Sequence, residues 1–118
     1  MQLRYLDFDT SEEDSGRCSF DAMAGVAPER LPELLREIAA VLRWAADAFG
    51  PAGALQDEGD WDYALQATAE PDTPLEIAFD GRAVALGSQG ASLTTVTLTL
   101  SGSPAFCAAF RAAFEAAH

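Results

Sequence analysis

Apolar and polar positions along the chain change period several times, and each change marks an element. In residues 17–24, Cys18, Phe20 and Ala22 alternate with Ser19, Asp21 and Met23, the period of a half-buried strand. Residues 3–9 (LRYLDFD) read as its partner, and the polar run 10–16 with its closing glycine predicts an antiparallel hairpin. From residue 29 to 49 the period becomes helical. Leu31, Leu34, Leu35, Ile38, Leu42, Ala45 and Phe49 trace one stripe, with Arg30, Glu33, Arg36, Glu37, Arg43 and Asp47 on the other faces. Pro28 and Pro32 suit a first turn, where no intrahelical donor is lost, and Gly50-Pro51 stops the helix.

Residues 51–60 read as a loop. Trp61, Tyr63, Leu65, Ala67 and Ala69 then alternate with Asp62, Gln66, Thr68 and Glu70 as a strand. The run 71–74 (PDTP) turns the chain, and Leu75, Ile77 and Phe79 form the inner face of the next strand. Asp80-Gly81 is a hairpin dipeptide, and residues 83–86 return as a short strand. After 87–92 (GSQGAS), Val96, Leu98 and Leu100 alternate with Thr95, Thr97 and Thr99. Ser103 as N-cap and Pro104 at the first position open a closing helix striped by Phe106, Phe110, Ala113, Phe114 and Ala117. The order β-β-α-β-β-β-β-α predicts a single α+β domain over residues 1–118. It is a two-layer sandwich with an antiparallel sheet of five or six strands and two helices on one face. Gln66, Thr68, Glu76, Thr95, Thr97 and Thr99 are expected on the opposite face, toward water or a partner.

Charge changes the picture of partners. The chain has 19 acidic residues and 7 basic ones, a net charge of −12. All the cations are arginines, which with the abundant alanine suggests a GC-rich bacterial genome. So negative a field argues against nucleic acid and against an anionic membrane surface, and favours a basic partner. No basic n-region followed by an apolar core opens the chain, so the cytoplasm is the expected compartment. Cys18 and Cys107, with Phe20 and Phe106 close by in sequence, are then expected as buried free thiols rather than as a redox pair.

Candidate chemistry is sparse. The single histidine is His118, no lysine is present, and neither a P-loop nor a dinucleotide-binding glycine string occurs. Two cysteines far apart make no zinc motif. No cofactor is implied. Carboxylates are the plentiful functional groups: Asp57, Glu58, Asp60 and Asp62 form one cluster, and Asp7, Asp9, Glu12, Glu13 and Asp14 another. Their oxygens suit a hard cation, although the spacing does not match an EF-hand loop. As neighbours on one strand face, Asp7 and Asp9 would lie about 7 Å apart. Phe106, Phe110 and Phe114 read as core, as do Trp61 and Tyr63. Trp44 falls at the border of the helical stripe, where an aromatic side chain either packs or anchors a contact.

The leading expectation is a non-enzymatic acidic interaction protein, of the inhibitor, immunity or adaptor kind, docking a basic protein partner. The residues expected to carry it are Asp57, Glu58, Asp60, Asp62, Glu12, Glu13, Asp14 and Trp44. One alternative is a small-ligand or divalent-metal-dependent enzyme using carboxylates. Another is a homodimeric structural domain pairing through its sheet, so the chain is expected as a monomer or a homodimer.

Overall fold

The computed structural model describes residues 3–50, 52–53, 61–70, 73–87 and 93–115. The elements are β1 (Asp9–Glu12), β2 (Cys18–Val26), α1 (Leu31–Phe49), β3 (Trp61–Ala69), β4 (Thr73–Leu75), β5 (Ile77–Phe79), β6 (Val84–Leu86), β7 (Thr94–Gly102) and α2 (Pro104–Phe110). A 3-10 turn at Pro28–Arg30 leads into α1, and a π-helical turn at Arg111–Glu115 prolongs α2. The fold is α+β, with the sheet order β1-β2-β7-β3-β4 and a separate two-stranded sheet of β5 and β6. Every pairing is antiparallel.

Three nine-residue strands set the frame, because their alternation is unbroken. Reading across β2, β7 and β3, the register aligns Phe20 with Leu100 and Tyr63, Ala22 with Leu98 and Leu65, and Ala24 with Val96 and Ala67. These rows face the helices. They meet Leu31, Leu34, Leu35, Ile38, Val41, Leu42 and Ala45 of α1 in one apolar core. α2 adds Phe106 and Phe110, and its capping follows the sequence: Ser103 Oγ accepts from the Phe106 N–H at 3.3 Å. The Phe20 and Phe110 rings lie 4.1 Å apart between centroids, and the Trp61 and Phe106 rings are parallel at 5.9 Å. Trp61 keeps its polar atom satisfied by donating Nε1–H to the Gly50 carbonyl at 2.9 Å, which ties β3 to the end of α1.

Two glycines show why the chain needs them. Gly81 has a φ of 98° in the β5–β6 turn, where Asp80 Oδ1 accepts the Arg82 and Ala83 N–H groups. Gly102 lies opposite Cys18 and Trp61 beneath the Phe106 ring, so that a Cβ there would sit 2.3 Å from Phe106 Cδ1.

Five expectations need correction. Residues 3–8 are not a strand: β1 begins at Asp9 and takes in part of the expected loop. The preceding segment crosses α1, where Glu37 accepts the N–H groups of Arg4, Tyr5 and Leu6, and Tyr5 OH donates to Glu33. Asp7 therefore shares no strand face with Asp9. The strand expected through Leu75, Ile77 and Phe79 breaks at Glu76. β4 pairs with β3, whereas β5 turns away to pair with β6, which packs on α1. Glu76 consequently lies outside the outer face of the large sheet. Finally, Cys18 and Cys107 are not free thiols but form a disulfide, with Cα atoms 6.1 Å apart.

Candidate functional site

The face of the sheet turned away from the helices is uncovered by any described element. Its rows are fixed by the same register. One runs Ser11, Ser19, Ser101, Asp62; the next Asp9, Asp21, Thr99, Ala64; then come Met23, Thr97, Gln66 and Gly25, Thr95, Thr68. Pro74 extends the last row on the edge strand β4, a position where a missing N–H is tolerated. Small and hydroxylated side chains keep this surface low. Met23 stands out from it, 68% exposed.

The charges on this face are one-sided. Among the described residues of the outer rows they are Asp9, Asp21 and Asp62, with no cation. Asp9 and Asp21 are direct cross-strand partners, both exposed. Like charges directly opposite one another destabilise a strand pair. Asp21 is held in place by the Thr99 hydroxyl, which donates to Oδ1 at 2.8 Å.

The residues singled out from sequence fall into three groups. Asp57, Glu58 and Asp60 lie outside the described residues, as does His118. Asp62, the second residue of β3, lies on the outer face, and the register places it at the same end of the sheet as the β1–β2 turn. In that turn Glu13 and Asp14 are exposed; the Glu13 carboxylate accepts from Ser15 Oγ at 3.4 Å. Glu12 faces the helix side and pairs with Arg111, so it is not part of the outer face. Trp44 is half-buried among Phe49, Phe106, Phe110 and Phe114, with the Phe114 ring edge-on at 5.1 Å. Among the described residues no three His, Cys, Asp or Glu side chains come together as a cation would require.

The sequence pattern does not bring Asp9 and Asp21 together as a pair, because it places the first strand over residues 3–9, ahead of β1. It also passed over Met23, although the alternation of Cys18, Phe20 and Ala22 already puts residues 19, 21 and 23 outside. Among the described residues no helix is long and apolar enough to cross a membrane. No family model, curated protein or solved structure matches the chain.

Proposed function

We propose that the chain is an acidic docking protein whose uncovered sheet face receives a basic protein segment. The observation that carries this reading is the Asp9–Asp21 pair. Two aspartates stand opposite each other across two strands on an open surface, Asp21 with its Oδ1 on the Thr99 hydroxyl of the neighbouring strand. A cationic side chain from a partner would relieve that repulsion and donate charge-assisted hydrogen bonds to both carboxylates. The surrounding serines and threonines leave room for close backbone approach, and Met23 supplies one apolar anchor beside the acidic rows. The remaining excess of carboxylates steers a cation toward the molecule.

The Cys18–Cys107 bridge supports an oxidising compartment for this encounter rather than the cytoplasm, where thiols are kept reduced. Alkylating the cells before lysis and counting blocked thiols in the recovered chain tests that placement.

The docking reading is tested by titrating the isotopically labelled protein with a lysine- and arginine-rich peptide and following the backbone amide resonances. Shifts should concentrate on β1, β2 and the facing rows of β7 and β3, and fade with salt. Asp9→Asn should weaken binding while stabilising the free protein by about 0.2–1 kcal/mol, since it removes the opposed charge. Shifts spread evenly over all acidic residues, or an Asp9→Asn variant that is no more stable and binds unchanged, would remove this face from the account.

A further inference from the structure

The opposite side of the molecule holds a concentration of positive charge. Pro32, Arg36, Ala39 and Arg43 recur at helical spacing, a second stripe of α1 beside the one that faces the core. The β5–β6 hairpin folds back toward this stripe and brings Arg82 from its turn. Between hairpin and helix lies an open groove of about 530 Å³ whose lining includes Arg36, Arg43 and Arg82 over an apolar floor of Leu35, Ala39 and Val84. Among the described residues no carboxylate lines it. In a chain with 19 acidic residues and 7 arginines, three of the arginines gather around this one groove. The ion pairs of the described residues engage Arg30 and Arg111 instead.

We infer that this groove binds a small organic diphosphate, its oxyanions on Arg36, Arg43 and Arg82 and its organic body on Leu35, Ala39 and Val84. The charge requirement follows from the surroundings. Glu33 and Asp80 lie just beyond the groove, one turn from Arg36 and two residues from Arg82, and the whole molecule is negative. A monoanion gains little against that background, whereas a ligand with two or more charges engages several guanidiniums at once. The geometry agrees. Arg36 and Arg43 are seven residues apart, about 10.5 Å along the helix axis. Two linked phosphoryl groups spread their oxygens between such arms better than one does.

Calorimetric titration of the full chain at low salt, without divalent cations, tests this with inorganic phosphate, inorganic pyrophosphate and a short alkyl diphosphate as probes. Pyrophosphate should bind and phosphate should bind much more weakly. The alkyl diphosphate should bind most tightly, because its chain covers the apolar floor. Arg36→Gln, Arg43→Gln and Arg82→Gln should each weaken the diphosphates by about tenfold or more. These arginines are exposed, so unfolding temperatures measured alongside should stay near that of the parent. Absence of pyrophosphate binding overturns the site, as does binding that the three substitutions leave unchanged. Equal affinity for pyrophosphate and the alkyl diphosphate overturns the assignment of an organic ligand.

Discussion

Opening the Cys18–Cys107 bridge should cost this domain a large part of its stability. The two cysteines are 89 residues apart in sequence, so the bridge closes most of the chain into one loop. Loop-closure entropy for that length corresponds to about 4.6 kcal/mol at 25 °C. Residual structure in the reduced unfolded chain lowers the observable effect to about 2–4 kcal/mol. Against a typical total of about 5–15 kcal/mol, reduction shifts the unfolding midpoint well clear of error. The bridge also joins β2 to α2, the two elements with the longest separation in the core, so its loss loosens the closing helix first. The assay is equilibrium unfolding in guanidinium, read by the fluorescence of Trp44 and Trp61, on oxidised protein, on protein reduced by dithiothreitol and on the Cys18→Ala/Cys107→Ala variant. The reduced wild type isolates the crosslink, because its side chains are otherwise unchanged. Thiol titration in denaturant without reductant should find no free thiol. Coincident midpoints, or two thiols per chain, would refute the reasoning.

Other consequences of the packing are equally direct. Gly102→Ala places a methyl group 2.3–2.7 Å from three Phe106 atoms and should destabilise by about 1–3 kcal/mol, seen as a fall in the thermal midpoint with a changed near-ultraviolet signal from Trp61. Glu37→Ala leaves three N–H groups without their carboxylate and should cost about 1.5–3 kcal/mol, with hydrogen-exchange protection lost at Arg4, Tyr5 and Leu6 before any other site. The hydrogen bond from Tyr5 holds the Glu33 carboxyl below its ordinary 4.5, and backbone N–H groups of Ala83 and Arg82 hold Asp80 below 3.8, so the stability they contribute is present above those values and is lost as pH falls through the lowered ones. The same bond to Glu33 raises the Tyr5 hydroxyl above 10.0, so its contribution is present below pH 10 and is lost as pH rises through the raised value. Tyr5→Phe should flatten the alkaline limb of a stability–pH curve while leaving the Asp80 part of the acid limb.

Elements whose partner can be inferred locally were legible in the sequence. The stripe of α1, the alternation of β2, β3 and β7, the Ser103 cap and the Asp80-Gly81 turn each need only their own residues, and each forms as expected. What failed depends on contacts between distant residues. Residues 3–8 carry enough alternation for a strand, but Leu6 is drawn into the core and Glu37 captures the backbone, so no ladder forms there. The alternation of Leu75, Ile77 and Phe79 continues smoothly through Glu76, which hides a change of strand partner that only the position of α1 explains. The cysteine pairing is of the same kind, since nothing within either segment reveals the other. For the candidate sites, the stripe of Arg36 and Arg43 was available from helical spacing, but Arg82 joins it only through the folded hairpin.

The acidic sheet face and the arginine groove belong to different layers, and that separation makes them separable in experiment. A helix layer and a sheet layer lie about 10 Å apart. At physiological ionic strength the screening length is about 8 Å, so the charges of Asp9, Asp21 and Asp62 are largely hidden from an anion on the helix side. The Asp9→Asn substitution should therefore leave diphosphate affinity unchanged in physiological salt. At low salt the screening length grows to about 30 Å and the faces couple. Removing a carboxylate should then tighten diphosphate binding slightly, and a cationic peptide on the sheet should do so more strongly. Competition between peptide and diphosphate would have the opposite sign, and would mean that both ligands use one surface.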